Sequence, residues 1–405
     1  MADGEIYYLP KYGASPNAEV YSRLWYYEPW LKAVNMDVPT TTEEFYEVCK
    51  AIANADLNGN GKKDEIALGG DCLGGGETDA WFTCLMSAFV YAHDREYRIV
   101  QDGKVDYAYN TEKWKEGLKY IKRFLDEGLI PMEALTQSQE SWKAQLNADP
   151  QVVWCYFGWE PYNATVGKDY AWIVDNDCLM PLAGPDGTAY AMYRPCTAVL
   201  GAAITVDCEH PDAAFLILDW LCSEERSIIN RWGTRGVDWD YWEDAKVEDK
   251  ENYSAYNPSS EIYLIAYNDD AFWSSGTPQN GSYMGQGPSI YSNRVFNGRA
   301  VKTGNLTEEE ALQLQFTNEV VAAYTKLHDY APAEVIDVAP LTGEETGELT
   351  EIKTNLSTYV NEMTAKFLSG AVDIDENWDA YLRELKNIGI DRAIEIYQTG
   401  YDRVH

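Results

Sequence analysis

The chain has 405 residues, more than the roughly 250–300 at which a single hydrophobic core stops growing, so we expect at least two lobes. Lysines and arginines number 32 and aspartates and glutamates 66, and the net charge of −34 repels phosphate backbones and anionic lipid head groups, so we expect no nucleic-acid partner. The 30 tyrosines and 14 tryptophans exclude disorder and favour neutral, hydroxyl-rich ligands, because aromatic rings stack on the apolar faces of sugars.

Predicted strands and helices alternate along the first third of the chain. Residues 2–10 are typical of a turn followed by a strand that stops at a proline. Thr41, with Glu44 three residues later, predicts a capping box at the start of a helix. After a glycine-rich stretch, residues 99–107 predict a hairpin around an Asp-Gly turn at 102–103, and a long helix follows.

The same alternation continues to the end of the chain. Residues 151–157 predict a buried strand, and residues 198–206 predict another strand that leads into a helix. Thr307 with Glu310 predicts a second capping box, and the chain from residue 342 onward is predicted to be helical with short breaks at glycines. Such alternation indicates an α/β architecture, in which ligands bind at the ends of the strands.

One segment, residues 56–65, has the spacing of a calcium loop. Ca²⁺ prefers about six to eight oxygen ligands, and such groups recur here around Gly61, where the loop must turn sharply. The EF-hand pattern would place a glutamate where Ala67 stands, so the closing carboxylate must come from one of the last two residues of the loop. The predicted ligands of this structural ion are Asp56, Asn58, Asn60, the Lys62 carbonyl, Asp64 and Glu65. The alternative is a solvated Asn/Gly turn without an ion.

The eight cysteines indicate structural roles. They form no C-x-x-C pair and have no histidine at zinc-ligand spacing, and their even number permits disulfides without requiring them.

The sequence also has no apolar stretch of about 18 residues and no signal peptide, so we expect a soluble polypeptide without an export address of its own. Met1 therefore need not be the natural start.

Several short motifs occur in a fixed order along the chain. They are Asp3-Gly4-Glu5-Ile6-Tyr7, residues 30–31 and 38–45, residues 56–66, Gly184-Pro185-Asp186-Gly187, Arg235-Gly236-Val237 with Trp239, Trp378-Asp379-Ala380-Tyr381 and Tyr401-Asp402-Arg403. With these motifs the sequence resembles extracellular solute-binding proteins of ABC-type carbohydrate importers, of the large lipoprotein type found in Gram-positive gut bacteria. The resemblance covers essentially all 405 residues.

This resemblance implies a two-lobed α/β fold of the type II periplasmic-binding-protein kind. It implies an oligosaccharide held in an inter-lobe cleft and delivered to the membrane subunits of an ABC permease when the lobes open. It also implies an extracellular monomer, anchored by a lipid in the full-length protein, with a structural Ca²⁺ at residues 56–65. Relatives carry further βα units before the segment that matches residues 3–10. We therefore expect the first lobe to be incomplete at its N-terminus, with unpaired sheet edges and an exposed apolar face.

The predicted lobes are discontinuous in the sequence. Residues 1–12 are expected to end the first lobe as a hinge strand, and residues 13–197 to form the second lobe. Residues 198–335 are expected to complete the first lobe and the hinge, and residues 336–405 to pack as helices on the second lobe.

Ligand contacts are predicted where aromatic or charged residues follow strands or lie near lobe boundaries. A tryptophan after the strand at 151–157 matches a sugar-stacking position of related binders. An arginine before the strand at 198–206 can donate paired hydrogen bonds to vicinal hydroxyls. The predicted ligand-binding residues are Trp159, Glu160, Tyr193, Arg194, Trp232, Arg235, Trp239, Trp81 and Tyr12. The competing interpretation of each ring is a core position, because most of the 14 tryptophans must be buried.

Catalysis has little support in the sequence. There is no G-x-S-x-G or G-x-x-x-x-G-K motif, and the four histidines form no pattern of a triad or metal site. Glu160 could serve as one of the two carboxylates of a glycosidase, but 66 acidic residues make chance pairs inevitable. We therefore expect a receptor and no enzyme. The alternatives are a calcium-stabilised glycoside hydrolase or lyase, and a transport-uncoupled glycan sensor or adhesin.

Overall fold

The computed structural model describes residues 6–13, 15–71, 80–92, 96–161, 170–246, 250–255, 261–264, 287–291, 300–336 and 338–405. Its strands are β1 (Leu9–Gly13), β2 (Arg23–Tyr27), β3 (Ile66–Leu68), β4 (Arg98–Gln101), β5 (Lys104–Tyr107), β6 (Val153–Gly158), β7 (Asn176–Leu179), β8 (Val199–Ala202), β9 (Trp239–Tyr241), β10 (Tyr253–Ala255), β11 (Ile262–Leu264), β12 (Ser289–Tyr291) and β13 (Ala300–Lys302). Its helices are α1 (Pro16–Glu19), α2 (Glu28–Ala33), α3 (Thr42–Ala53), α4 (Ala80–Met86), α5 (Glu112–Asp126), α6 (Gln139–Leu146), α7 (Tyr170–Ile173), α8 (Pro211–Leu221), α9 (Glu224–Trp232), α10 (Glu308–Leu327), α11 (Gly343–Leu368), α12 (Ile374–Ile388) and α13 (Ile390–Asp402).

The chain divides into two compact units. Unit 1 contains residues 3–19 and 195–321, and unit 2 contains residues 20–194 and 322–405. The sequence placed the boundaries after residues 12, 197 and 335, whereas the structure places them after residues 19, 194 and 321. The last difference arises because α10 is one continuous helix that passes from unit 1 into unit 2, and no glycine or proline marks the passage.

Unit 2 is built on a four-stranded mixed sheet. Its strand order is β3-β6-β2-β7, with β2 antiparallel to both β6 and β7 and with β3 parallel to β6. The side chains of Val153, Trp154, Cys155 and Tyr156 are all buried, so neighbouring residues that point to opposite faces are both covered. The sheet therefore lies inside the core, with layers on both faces, as in other α/β folds.

Local sequence signals place the helices and the hairpin of unit 2 correctly. Thr41 and Glu44 form both hydrogen bonds of the predicted capping box at the start of α3. The predicted hairpin consists of β4 and β5, and both residues of its turn have positive φ, 50° at Asp102 and 71° at Gly103. Such a turn suits the twist of an antiparallel pair and favours an Asp-Gly sequence. These predictions are confirmed.

The three C-terminal helices pack within unit 2. α11 contacts α5, α12 and α13, and α13 also contacts β5. The start of α11 is fixed by a capping box between Thr342 and Glu345. Arg403, at the end of α13, donates two hydrogen bonds to the Glu345 carboxylate, at 2.6 and 2.7 Å. Among the described residues, no helix has both the length and the apolar character needed to cross a bilayer.

The Glu345 contacts predict a pH-dependent contribution to stability. The Arg403 guanidinium and the Thr342 backbone lower the pKa of Glu345 from its ordinary value of 4.5 to about 2. A depressed folded-state pKa stabilises the protein above the unfolded-state pKa, and this stabilisation is lost as the pH falls from about 4.5 towards 2. Because solvent screens such a pair, we expect Glu345→Gln to remove about 1 kcal/mol or less of stability at neutral pH. Urea unfolding at pH 7 and pH 3 measures this loss of stability, and the variant of the exposed neighbour, Glu344→Gln, serves as the control. Equal losses for Glu345→Gln at both pH values would contradict the lowered pKa of Glu345.

Among the residues that the structure describes, unit 1 has a smaller sheet and a smaller core than unit 2. The described strands form one three-stranded sheet, in the order β12-β1-β8, with β1 parallel to β12 and antiparallel to β8. Two further pairs, β10 with β13 and β9 with β11, are antiparallel. One small cluster of buried apolar residues joins α9 to the second pair, and it consists of Ile228, Trp232, Trp239 and Ile262.

Candidate functional site

Three strands of the unit 2 sheet end at the same edge. β7 runs in the same direction as β6 because both are antiparallel to β2, and β3 is parallel to β6. The carboxyl ends of these strands, at Leu68, Gly158 and Leu179, therefore lie where β2 begins. In α/β sheets ligands bind outside the carboxyl ends of the strands. We therefore take this edge as the candidate ligand site and call it the carboxyl edge of unit 2.

Trp159 occupies this edge directly after β6. It is 39 % exposed, whereas Trp25, Trp154 and Tyr156 of the same sheet are buried. The ring lies 5.6 Å from the ring of Tyr21, measured between centroids, at an angle of 39°. The backbone before it is held in place because Trp25 Nε1 donates a hydrogen bond of 3.1 Å to the Gly158 carbonyl oxygen. A supported, half-exposed ring of this kind can stack on the apolar face of a sugar.

Two further residues at the carboxyl edge were not found from the sequence. Tyr21 precedes β2 and supports Trp159. Arg23 pairs in register with Gly158, is only 2 % exposed, and lies with its guanidinium carbon 5.8 Å from the centre of the Trp25 ring. Only the register between β2 and β6 brings these residues beside Trp159, and the sequence does not show that register.

Three of the predicted ligand-binding tryptophans are core residues. Trp81 is fully buried, donates a 2.9 Å hydrogen bond to the Asp71 carbonyl oxygen, and packs so closely on Gly70 that a Cβ there would lie 2.1 Å from its ring. Trp232 and Trp239 lie in the small core of unit 1, at 4 % and 0 % exposure. Buried rings have no face to offer a ligand, so the prediction of ligand contacts at Trp81, Trp232 and Trp239 is corrected.

Arg235 remains exposed in the loop between those two core tryptophans. Its guanidinium donates hydrogen bonds of 2.8 Å to Asp240 and 2.8 Å to Asp244, and it lies 4.7 Å from the centre of the Tyr241 ring. These carboxylates raise the pKa of Arg235. The ion pairs of Arg235 with the two aspartates therefore stabilise the conformation of this loop. Tyr12, on β1, is half-buried and pairs in register with Ile290.

Tyr193, Arg194 and Glu160 are accessible in part. Tyr193 packs its ring edge-on against His328, at 5.8 Å between centroids, and its carbonyl oxygen accepts a hydrogen bond from the Tyr91 hydroxyl. Arg194 is the last residue of unit 2 before the chain enters unit 1. Glu160 is half-buried next to Trp159. Each of these side chains keeps enough surface to contact a ligand.

The 56–65 loop is closed by Glu65, which is only 5 % exposed. Its Oε1 accepts hydrogen bonds from the backbone N–H groups of Leu57, at 2.6 Å, and Asn58, at 3.1 Å. Its Oε2 is buried and has no hydrogen-bond partner among the described residues. A buried carboxylate oxygen without a partner is costly, and a bound cation would remove that cost.

The rest of the loop turns its oxygens towards its own backbone. Asp56 Oδ2 accepts from the Gly61 N–H at 3.0 Å, Asn58 Oδ1 from the Asn60 N–H at 3.0 Å, and Asn60 Oδ1 from the Lys62 N–H at 2.8 Å. Among the described residues, no three His, Cys, Asp or Glu side chains converge closely enough to hold a metal ion. The oxygen-rich donor set and the buried Glu65 Oε2 nevertheless fit a hard cation, because calcium loops draw on amide and backbone oxygens as well as carboxylates.

The described cysteines form no disulfide with one another. Cys49, Cys155 and Cys178 are buried, and burial raises the pKa of all three thiols. Buried, protonated thiols behave as small apolar groups. Cys72 lies outside the described residues.

Comparison with known structures shows the fold of two-lobed solute-binding proteins. A human-milk-oligosaccharide-binding solute-binding protein of Bifidobacterium longum infantis superposes with a TM-score of 0.71 at 20 % identity, covering 99 % of this chain and 77 % of that one. The FusA protein of Streptococcus pneumoniae in complex with kestose superposes with a TM-score of 0.69 at 24 % identity, with the same coverage. The predicted fold class is therefore confirmed.

Curated relatives point to the same class of protein. FusA, described as a fructooligosaccharide ABC transporter substrate-binding protein, is 26 % identical over 412 aligned residues, which cover 99 % of this chain and 70 % of FusA. The lipoprotein LipO of Bacillus subtilis is 32 % identical over 114 residues, 28 % of this chain and 22 % of LipO. No protein-family model matches the chain. The resemblance to substrate-binding proteins of ABC transporters is confirmed.

The descriptions of two solved relatives refer to an EF-hand or to calcium. One FusA structure is of an EF-hand mutant in complex with fructo-nystose. The alginate-binding protein AlgQ2, in a structure without calcium ion, superposes with a TM-score of 0.65 at 19 % identity.

Proposed function

We propose that this chain is the substrate-binding receptor of an ABC-type importer, which captures an oligosaccharide and delivers it to the permease subunits in the membrane. The observation that carries the proposal is the half-exposed Trp159 at the carboxyl edge of unit 2. The similarity to FusA over nearly the whole chain supports it. In this proposal the natural protein is an extracellular, lipid-anchored monomer without catalytic activity, and its lobes follow the predicted division apart from the boundaries given above.

The proposed sugar contacts combine stacking with hydrogen bonds. Trp159 provides the platform, and Glu160 accepts hydrogen bonds from sugar hydroxyls. Arg194 and Tyr193 donate to hydroxyl oxygens, Arg through its planar pair of N–H groups. Peripheral contacts come from Tyr12 and Arg235. A chain of charge −34 discourages anionic ligands, so a neutral oligosaccharide is the proposed substrate.

We further propose that the 56–65 loop binds Ca²⁺ in a structural role. The loop leads directly into the amino end of β3, whereas Trp159 lies at the carboxyl edge. Asn58 Nδ2 also donates a 2.9 Å hydrogen bond to the Gln151 carbonyl oxygen, before the amino end of β6. The loop therefore lies at the opposite edge of the sheet from the proposed sugar site. When bound, the ion would be held by Glu65 together with Asp56, Asn58, Asn60, the Lys62 carbonyl and Asp64.

The first test is a thermal-shift screen of the chain against neutral plant and host oligosaccharides in calcium-containing buffer. A ligand that binds only the folded state must raise the melting temperature. The hits then go to isothermal titration calorimetry, and the sugars are analysed for cleavage after incubation. Stabilisation without cleavage is expected. Release of shorter sugars would replace the proposal by the glycosidase alternative, and binding without any interaction with permease subunits would favour a sensor or adhesin.

Trp159→Ala is expected to weaken binding of the best oligosaccharide by up to about tenfold, because aromatic stacking contributes up to about 1.5 kcal/mol. Its effect on stability should be small, since 39 % of the side chain is already exposed. Calorimetric titration of the sugar measures the change. Trp220→Ala, which removes a tryptophan that is 55 % exposed in unit 1, serves as the matched control and should bind normally. Equal affinity of Trp159→Ala and wild type would remove Trp159 from the site.

A further inference from the structure

Unit 2 contains a cavity of about 390 Å³ between α11 and the segment that carries the β4–β5 hairpin. One wall is formed by Glu96, Tyr97, Tyr107 and Tyr109, and the other by residues of α11 between 353 and 361. Pockets for small ligands usually have volumes of roughly 300–1,000 Å³, so this one has room for a small organic molecule. We call it the α11 cavity.

The α11 cavity is separate from the carboxyl edge of unit 2. α11 packs on α5, α5 packs on α4, and only α4 of these three contacts β2 and β6. Behind the first wall lies Trp114 of α5, whose ring is 5.2 Å from the ring of Tyr97 and 6.4 Å from that of Tyr109, measured between centroids. The described lining residues of the cavity include none of those assigned to the carboxyl edge. A ligand in the α11 cavity would therefore bind independently of one at Trp159.

Tyr97 lies beside the cavity in an unfavourable backbone conformation. Its φ is 57°, in the left-handed region that a large side chain rarely adopts. Its carbonyl oxygen accepts a 2.7 Å hydrogen bond from the Ala108 N–H, and its ring packs edge-on against Trp114. The side chain nevertheless stays half-exposed. Backbone strain of this kind persists only where the surrounding structure imposes it, and it is concentrated at ligand sites.

The α11 wall presents hydroxyl and amide groups to the cavity. The hydroxyls of Thr354 and Thr358 donate to the backbone carbonyl oxygens four residues earlier, at 2.9 Å each, so their lone pairs remain as acceptors. Ser357 and Asn361 also line the cavity, and neither side chain makes a hydrogen bond within the part of the chain that the structure describes. These two residues can both donate and accept.

The charges at the cavity are paired within the protein. Lys353 forms an ion pair with Glu96, which also accepts a hydrogen bond from the Tyr397 hydroxyl, and Arg98 Nε lies 3.8 Å from the same carboxylate. A charged ligand would have to displace these contacts, and the net charge of −34 further disfavours anions. An apolar ligand would leave the hydroxyl and amide groups without partners. A neutral, hydroxyl-rich ligand avoids both costs.

We infer that the α11 cavity is a second carbohydrate site, which binds a neutral disaccharide or the terminal disaccharide of a longer sugar. The ring of Tyr97 offers a stacking surface, and the side chains of Ser357 and Asn361 hydrogen-bond the sugar hydroxyls. This inference goes beyond the proposed transport function and does not rest on it, because the two sites share no residue. At saturation the protein binds one sugar at each site.

Methyl NMR spectroscopy of the full 405-residue chain distinguishes the two sites. Val360 lies in the wall of the α11 cavity and Leu179 ends β7 at the carboxyl edge, so their methyl groups report on the sites separately. The probes are maltose, cellobiose, lactose and sucrose, each titrated to about 50 mM, enough to saturate a millimolar site. We expect at least one of these disaccharides to shift the Val360 resonances in a saturable manner.

Variants of α11 make the result specific to the cavity. Ser357→Phe fills the cavity from an exposed position and should abolish the saturable shift of Val360. Asn361→Ala should weaken disaccharide binding about fivefold, which corresponds to the loss of about 1 kcal/mol for one hydrogen bond. Asn355→Ala makes the same substitution at an exposed position of α11 outside the cavity and should bind like wild type. Both alanine variants should fold, because alanine favours a helix more than asparagine does.

Trp159→Ala separates this inference from the proposed transport function. It should leave the Val360 shift unchanged, because Trp159 lies at the carboxyl edge. The inference would be overturned if no disaccharide shifted Val360, if the shift survived Ser357→Phe or disappeared in Trp159→Ala, or if Asn355→Ala weakened binding as much as Asn361→Ala. Shifts of Leu179 with the best oligosaccharide would then still support the transport site. A Val360 response without any Leu179 response would support the second site and count against the first.

Discussion

Trp378→Ala is expected to lower the free energy of unfolding of unit 2 by about 4 kcal/mol, in the range that holds for buried tryptophan and phenylalanine side chains. The side chain is 2 % exposed and stacks on Tyr381 at 4.9 Å between ring centroids. Its Nε1 donates a 2.7 Å hydrogen bond to Glu112 Oε1, at the start of α5. The substitution therefore leaves a cavity and breaks the link between α12 and α5 at once. Urea unfolding measures the loss.

Two variants separate the causes of this effect. Trp378→Phe keeps a stacked ring and removes the bond to Glu112, so it should cost about 1–2 kcal/mol. Trp220→Ala removes an exposed tryptophan and should change stability by no more than about 0.5 kcal/mol. If Trp378→Ala unfolded at the same urea concentration as wild type, the C-terminal helices would contribute nothing to the stability of unit 2, contrary to their packing on α5.

The features that the sequence predicted best are those decided by a few neighbouring residues. The capping boxes at Thr41 and Thr342 need only a hydroxyl and a glutamate three residues on, and the first was predicted correctly. The capping box at Thr307 was also predicted, and both of its hydrogen bonds to Glu310 are present. The hairpin at Asp102 follows from a turn that few other sequences favour.

Positions decided by distant contacts were predicted poorly. Trp81, Trp232 and Trp239 lie in α4, α9 and β9, and only their packing shows that they are buried. Trp81 is held by Gly70 and Asp71, ten residues earlier, and no local signal distinguishes it from Trp159. The boundary within α10 belongs to the same class, because a continuous helix can serve two units without any change in its sequence pattern.

The candidate site was predictable only in part, because it combines a local signal with contacts between distant strands. A tryptophan after a buried strand is visible in the sequence, and Trp159 is indeed at the carboxyl edge and half-exposed. The edge itself follows from the directions of β2, β3, β6 and β7, which no single segment encodes. Tyr21 and Arg23 enter the site only through the register of β2 with β6.

The loop at residues 56–65 carries the second large effect, and Glu65 is its central residue. Two backbone N–H groups donate to Glu65 Oε1, and hydrogen bonds to a charged acceptor contribute about 1.5–3 kcal/mol each when their loss leaves groups unsatisfied. Allowing for partial replacement by water, we expect Glu65→Ala to lower the free energy of unfolding by about 3 kcal/mol even in chelator. Asp56→Ala loses one bond at an exposed position, to the Gly61 N–H, and should cost about 1 kcal/mol or less there.

Measurements with and without calcium separate the stability that comes from the hydrogen bonds within the loop from the stability that comes from ion binding. At a free concentration about 100 times its dissociation constant, Ca²⁺ should add about 2.7 kcal/mol to the stability of wild type. Both variants should lose most of that gain, while sugar specificity stays unchanged because the loop lies at the opposite edge of the sheet from Trp159. Thermal unfolding of the three proteins in calcium and in chelator measures the changes in stability, and calorimetric titration of the oligosaccharides measures sugar specificity. If wild type melted at the same temperature in both buffers, the Glu65 hydrogen bonds would stabilise the loop without an ion. If Glu65→Ala melted like wild type in chelator, those hydrogen bonds would contribute nothing to stability.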